Sequence, residues 1–323
     1  MNLKTLAELS GTSVATVSKA FSGAKDISCE TREKIFAIAK ENDSFNKYYK
    51  GPREKPVIAL IFPESESEFY GRQIGLLERE IEKRGGDTVI AVTRFNAERE
   101  ERLFTDLVHR MGVDGVILCG KGALIKNTDE IPLVVIGRGN EELKADSVKS
   151  DFSSSMLELI GLIKEYGHHD IGFIGERLTT YKLERLKRAM RRHGLAVREE
   201  FFVTTNARFG ASGEVGMREL IERGRIPSVI VAAYDQIAFG AMRYATERGY
   251  KIPEDISFVG IDDIMAANYV GVPLTSLHVH FEDVCDKIVE LLFKKIDNRH
   301  YRSRESITIP VTINLRESLG RKL

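Results

Sequence analysis

Long apolar runs are missing from this 323-residue chain. Nothing in it approaches the roughly 18 consecutive apolar residues that a transmembrane helix needs, and the N-terminus does not pair a charged start with an apolar stretch as a leader would. No membrane contact is therefore expected, and the protein is expected in the cytoplasm. Cysteine is scarce as well. Cys29, Cys119 and Cys285 are scattered and odd in number, which offers neither a disulfide framework nor the CxxC spacing of a zinc site. Net charge is absent, with 48 Lys and Arg against 48 Asp and Glu. That balance hides an asymmetry, because residues 1–56 hold ten Lys/Arg and seven Asp/Glu, a net of +3, leaving −3 for the rest. A weakly basic N-terminal segment on a body that repels nucleic acid fits these numbers.

Catalytic signatures are also missing. No Gly-x-Gly-x-x-Gly follows a strand and no Walker-type phosphate loop appears, which argues against a dinucleotide or ATP enzyme, and no cofactor is expected. No Ser/His/Asp or Cys/His signature stands out. His168-His169-Asp170 lies in a Gly-containing turn and reads as solvated rather than metal-binding. His278 and His280 share a strand face by period two, which suits hydrogen bonding between lobes better than catalysis. Asp262 and Asp263 are adjacent strand residues and point to opposite faces, so they do not form a hydrolase pair.

What is present is most informative over residues 2–42, which read as three short helices with a tight turn between the first two. This is a helix-turn-helix. The first helix would run from about Leu3 to Ser10 behind an Asn2 cap, with Leu3, Leu6 and Ala7 inward, and Gly11 would end it. Ser13 can cap the second, whose inward stripe is Val17, Ala20 and Phe21. Its start would then present Val14, Ala15, Ser18 and Lys19 outward. Small side chains allow close approach to a major groove, where Val14 could touch a thymine methyl and Lys19 a guanine or a phosphate. Ser28 caps a third helix with Ile35 and Ile38 inward. Asn2, Ser13, Thr16, Ser28 and Thr31, at the helix starts, complete the expected DNA-facing set.

A polar stretch from Glu41 to Pro56, with Gly51, Pro52 and Pro56, reads as a linker. The expected domains are a headpiece over 1–46, a hinge over 47–56 and a two-lobed body over 57–323. In the body, β-branched runs alternate with amphipathic helices, the pattern of parallel sheets with crossover helices. Strands are expected at Val57–Phe62, Asp87–Val92, Gly115–Leu118, Leu133–Ile136, Asp170–Ile174, Phe202–Thr204, Ser228–Ala232 and Ser257–Ile261. Helices are expected near Arg72–Lys83, Ala97–Met111, Ser153–Tyr166, Thr180–Arg192, Ser212–Glu222 and Gln236–Arg248. The fold class is α/β, with a small all-α headpiece in front of two Rossmann-like lobes.

Gly11, Ser13, Thr16-Val17-Ser18-Lys19, Ile27-Ser28 and Thr31-Arg32 stand at the spacing of one known pattern. The N-terminus resembles the DNA-binding headpiece of the LacI/GalR family of bacterial transcription regulators, with Thr5, Thr12 and Lys19 where Asp, Val and Arg are usual. The body resembles that family's effector domain, which is similar to periplasmic sugar-binding proteins. The body's resemblance is carried by Tyr234-Asp-Gln-Ile-Ala-Phe-Gly-Ala-Met, Val259-Gly-Ile-Asp-Asp263, Pro273-Leu-Thr, Ile309-Pro-Val and Leu315-Arg-Glu-Ser318. The hinge departs most. Asp43, Phe45, Tyr49 and Pro52 replace the usual Tyr, Pro, Ala and Leu, and Gly51-Pro52 disfavours a helix, so an extended tether is expected.

The resemblance implies a homodimeric, ligand-responsive regulator, expected to be a repressor of carbohydrate-use genes on a near-palindromic operator in double-stranded DNA. Its small-molecule effector would lie between the lobes, outside the carboxyl ends of the strands. Those loops supply Phe69, Tyr70, Lys121, Arg138, Lys182, Arg208, Phe209, Tyr234, Asp235 and Asp262. Asp262 would accept paired sugar hydroxyls, whereas Asp235 is as well placed to cap a helix as to bind. Lys121, Arg138, Lys182 and Arg208 around one cleft would favour an anionic effector such as a uronate or sugar phosphate, unless they point to solvent. Two other classes remain open, a cytosolic sugar-binding module and an enzyme on the same lobes. A mobility-shift assay and a turnover assay would discriminate them.

Overall fold

Polar caps start each helix of the headpiece. The computed structural model describes the chain apart from residues 23, 25, 43, 49–54, 127, 129, 130, 138, 140–142, 144, 299–302 and 323. Helices α1 (Leu3–Ser10), α2 (Val14–Phe21) and α3 (Cys29–Glu41) begin where the sequence places them. Asn2 Oδ1 accepts the Thr5 amide at 2.9 Å, Ser13 Oγ the Thr16 amide at 3.0 Å and Ser28 Oγ the Thr31 amide at 3.2 Å. Each cap satisfies one otherwise free first-turn N–H and is worth about 1 kcal/mol. Gly11, at φ 68°, takes the left-handed turn that ends α1. Leu6, Val17, Ala20, Phe21, Ile35 and Ala39 form the buried core, with Ile38 only packed against it.

A short turn, α4 (Phe45–Tyr48), folds back onto this core. Phe45 and Tyr48 place their rings 5.9 and 5.8 Å from Phe21, and Phe45 meets Phe36 edge-on at 4.9 Å. Tyr48 Oη donates to the Met1 carbonyl at 2.9 Å. The packed headpiece thus reaches Tyr48, two residues past the expected boundary. The tether expected beyond it falls largely on residues 49–54, outside the described residues.

The body is one continuous arrangement of strands in the order β2-β1-β3-β4-β5-β11-β10-β9-β8-β6-β7. The first lobe holds β1 (Val57–Phe62), β2 (Asp87–Val92), β3 (Gly115–Leu118), β4 (Leu133–Ile136) and β5 (Asp146–Asp151), with α5 (Glu68–Lys83) and α6 (Ala97–Thr105). The second holds α7 (Phe152–Glu165), β6 (Ile171–Glu176), α8 (Thr180–Arg192), β7 (Phe202–Thr205), α9 (Phe209–Glu222), β8 (Val229–Ala232), α10 (Asp235–Glu247), β9 (Ser257–Asp262) and β10 (Thr275–Val279). Helix α11 (Phe281–Asp297) then returns to the first lobe, packing on α5, β3 and β4. β11 (Ser306–Asn314) ties the lobes: Ser306–Pro310 run parallel to β5 and Val311–Asn314 antiparallel to β10. The chain therefore crosses between lobes after β5, after β10 and within β11.

Apolar strands such as β3 and β8 are buried at every position because helices cover both faces. Two boundaries differ from expectation in ways that matter for the site. Helix α5 starts at Glu68 rather than near Arg72, capped by Ser67, so Phe69 and Tyr70 sit on its first turn instead of in a loop. Helix α9 starts at Phe209 rather than Ser212. His168 is another correction: instead of lying in a solvated turn it is buried, bonded to Ser228 Oγ and the Gly320 carbonyl at 2.9 Å each. Burial lowers its pKa, and it serves as a tie between the second lobe and the C-terminus.

Candidate functional site

The carboxyl ends of the strands of both lobes open onto one cavity, which encloses about 730 Å³ with its mouth included. Strand order sets the depth of each wall. β9 lies beside β10, next to the crossing, so Asp262 at its end forms the floor. β2 and β7 are the outermost strands, so Phe95, Arg208 and Phe209, which follow them, stand farthest out.

On the floor, Lys182 from α8 donates to the Ala233 carbonyl at 2.7 Å and lies 3.6 Å from Asp262 Oδ1. Burial, the largest single influence, pulls the Lys182 pKa down, but Asp262, Tyr181 and Asp235 together outweigh it and the net direction is upward. Burial raises the Asp262 carboxyl, against the pull of Lys182, to about 6. Asp262 Oδ1 is buried and accepts no hydrogen bond among the described residues. An unsatisfied buried acceptor is costly, on the order of 1–3 kcal/mol. Its backbone sits at φ 106°, a region a non-glycine residue rarely occupies outside functional sites.

Asp235, on the first turn of α10, neither caps that helix nor points freely at a ligand. Its carboxyl accepts the Ile264 amide at 2.8 Å and Ser276 Oγ at 2.6 Å, fastening α10 to the segment after β9. Burial first, then the neighbouring Asp262 charge, push its pKa well above the usual carboxylate range. Asp263, one residue on, faces away from the cavity as expected, toward His278, Asn314 and Arg316 at 2.7 Å each. His278 and His280 stack edge to face at 4.7 Å, and His280 meets Thr312 at 3.2 Å. The expected bonding role at the crossing holds.

At the mouth, Arg208 bridges the lobes. It donates to both Glu64 oxygens at 2.5 and 3.1 Å across the cleft, and to Glu176 on its own lobe at 3.3 and 3.4 Å. The Glu64 bond holds its pKa above the usual range. Its guanidinium also lies 5.4 Å from the Phe95 ring and 4.6 Å from the Phe209 ring. Tyr234 Oη accepts the Phe209 amide at 2.9 Å, locking this corner. Phe69 and Tyr70 meet edge-on at 5.1 Å in the first lobe's wall, and Phe152 and Tyr234 flank the Lys182 ammonium at 5.8 and 5.9 Å.

Phe69, Tyr70, Lys182, Arg208, Phe209, Tyr234, Asp235 and Asp262 all line the cavity, as the sequence suggested. Lys121 does not: it is exposed in the loop after β3 and away from the lining. Arg138 lies outside the described residues. Sequence reasoning missed Glu64, Glu176, Phe95, Leu178, Thr179 and Tyr181. The same rule of strand ends would have found Glu64 after β1 and Glu176 at the end of β6. The missed carboxylates change the electrostatics, because among the described lining residues Glu64, Glu176, Asp235 and Asp262 face the cations Lys182 and Arg208 alone.

In the headpiece, α2 presents Val14, Ala15, Ser18 and Lys19 to solvent, with Val14 43 % exposed. Asn2, Ser13 and Ser28 use their side-chain oxygens as caps, with Thr5, Thr16 and Thr31 as the respective partners. Lys19 is ion-paired with Asp26 at 2.5 Å, both half exposed, and that bond lowers the Asp26 pKa.

The sequence pattern described as bacterial regulatory proteins of the lacI family matches residues 2–43, and that of a periplasmic binding protein-like domain matches residues 161–319. The chain belongs to the LacI family. It is 28 % identical over 328 residues to the ribose operon repressor of Haemophilus influenzae, covering 98 % of each chain. It is 27 % identical over 307 residues to the transcriptional regulator AscG of Escherichia coli, covering 90 % of this chain and 91 % of that one. Among solved structures, a transcriptional regulator CelR–cellobiose complex superposes with TM-score 0.72 at 24 % identity, covering 98 % of this chain and 99 % of that one. The LacI-family assignment makes the protein a DNA-binding transcription regulator.

Proposed function

We propose that this LacI-family protein is a homodimeric repressor whose operator affinity is set by a small, uncharged, polyhydroxylated effector bound between its lobes. The observation that carries this reading is Asp262 Oδ1 on the floor of the cavity, buried and, apart from its 3.6 Å ion pair with Lys182, without a hydrogen bond among the described residues. A ligand hydroxyl would supply the missing donor, and the aromatic walls would take the apolar face of a ring. The relative named a ribose operon repressor favours a sugar-like ligand. An anionic effector fits the charges less well. Even with Asp235 left out, Glu64, Glu176 and Asp262 outnumber Lys182 and Arg208 among the described lining residues, and each of those cations already has a carboxylate partner. Calorimetry of the full chain against paired neutral sugars, uronates and sugar phosphates tests this. A neutral sugar should bind, and Asp262→Asn should weaken it by at least about tenfold. Tight binding of only the acidic member of a pair, insensitive to Asp262→Asn, would overturn the reading.

A further inference from the structure

A carboxylate stands on the turn between α2 and α3. Among the side chains expected to face DNA, Lys19 is the one that carries a charge, and Asp26 cancels it. Asp26 Oδ2 accepts Lys19 Nζ at 2.5 Å, with the two side chains 57 % and 53 % exposed. An ion pair this exposed contributes little to folding, and the core of Leu6, Val17, Phe21 and Ile35 does not include it. The turn itself is fixed at both ends. The Ala24 amide and the Ser22 hydroxyl donate to the Lys19 carbonyl at 3.1 Å each, Arg32 donates to the Ala24 carbonyl at 2.5 Å, and Ser28 caps α3 two residues after Asp26. Asp26 therefore lies between the last turn of α2 and the first turn of α3, both expected to face DNA.

Duplex DNA carries a phosphate charge about every 1.7 Å along its axis, so a bare carboxylate at its surface is repelled. The bond to Lys19 lowers the Asp26 pKa, and the carboxyl is charged at neutral pH. Lys19 has three N–H donors and Asp26 takes one, which leaves two for another acceptor. A phosphate in that place would bring its own negative charge beside the carboxylate. The O6 and N7 atoms of a guanine are neutral acceptors in the major groove and bring none. The sequence left both partners open for Lys19; the ion pair favours the base edge.

We propose that Asp26 is a specificity-determining residue of the headpiece: its carboxylate keeps the Lys19 ammonium off the phosphates and aims it at a base edge, which weakens sequence-independent binding relative to operator binding. This rests on the reading of the chain as an operator-binding repressor with α2 as its reading helix. Phosphate contacts position a protein on DNA without carrying sequence information, whereas base contacts specify. A lysine released from Asp26 meets phosphates on any sequence and so adds affinity everywhere and discrimination nowhere. Asp26 supplies the repulsive element by which an interface rejects wrong partners. Glu30, exposed in the first turn of α3, provides a control, since its removal changes the net charge equally without freeing Lys19.

The test is fluorescence anisotropy of two labelled duplexes with the full-length protein over a series of KCl concentrations. One duplex is the tightest site recovered by selection from random DNA, and the other is its shuffled sequence of the same length and composition. Asp26→Asn should tighten binding to the shuffled duplex by at least about fivefold and lower the ratio of selected-site to shuffled affinity by a similar factor. It should also steepen the slope of log affinity against log salt by about one for each headpiece bound. The double variant Lys19→Ala/Asp26→Asn should lose that added slope, because the freed ammonium is gone. An Asp26→Asn protein with slope and ratio both unchanged would overturn the proposal. So would an equal loss of discrimination in Glu30→Gln, which would trace the effect to net charge alone. Failure of α2 as the reader shows separately, as a base preference unchanged when Val14 and Ala15 are replaced. A neutral Asp26→Asn in a protein whose preference does follow Val14 and Ala15 overturns the Asp26 assignment by itself.

Discussion

At the scale of single residues, two neighbouring carboxyls have opposite assignments. Asp235 is a structural tie that accepts a hydrogen bond on each carboxyl oxygen, so Asp235→Asn keeps one acceptor and should cost less stability than Asp235→Ala. Asp235→Ala orphans the Ile264 amide and Ser276 hydroxyl and should cost about 1–3 kcal/mol. Chemical denaturation of the two variants checks this. Asp262 has its carboxyl raised to about 6, and its ionised form accepts the stronger, charge-assisted hydrogen bonds from sugar hydroxyls. Ligand binding therefore favours proton release, so affinity is level above about pH 7 and falls by up to about tenfold per unit as pH drops below 6. Asp262→Asn should flatten that profile, which calorimetry between pH 5 and 8 would show. Asp262 was legible in the sequence because strand-end position and family pattern coincide there. The opposing role of Glu64 and Glu176 was not, because a carboxylate at a strand end gives no sign of which cation across a cleft it will meet.

At the scale of elements, the headpiece was the most legible part. Caps, the αL glycine and the inward stripes are local properties, written within a few residues of where they act. The body's apolar strands were legible for the same reason. Strand β5, a polar DSVKSD half covered by β11, gives no such pattern, and α11 belongs to the first lobe only because the chain crosses back. The aromatic fastening of α4 also escaped, since Phe45 and Tyr48 read as linker until Phe21 and Phe36 are seen to receive them. For DNA reading, α2 is the element at stake. Replacing Val14 and Ala15 should change the preferred base pairs, and Lys19→Ala should weaken operator binding by about 1–3 kcal/mol. Selection from random DNA checks this, and an unchanged preference in the Val14 and Ala15 variants would reject α2 as the reader.

At the scale of the whole molecule, the lobes are joined by three chain crossings and clamped at the mouth by Arg208 on Glu64 and by the Met265 amide on Glu68 Oε1 at 2.8 Å. A ligand that bonds to both lobes acts on the same relative arrangement that these contacts hold. Coupling to the headpiece then requires that the ligand bind one arrangement better than another, and the coupling is reciprocal. A neutral sugar bound at Asp262 is expected to set operator affinity. Fluorescence anisotropy of labelled operator, titrated with full-length protein at fixed salt with and without the tightest neutral sugar, tests it most directly. The account predicts a shift in operator affinity of at least about fivefold, matched by the operator's reciprocal effect on sugar affinity and lost in Asp262→Asn while that variant still binds operator alone. An operator affinity unmoved by a sugar that calorimetry shows to be bound, or a shift that survives Asp262→Asn, would contradict it.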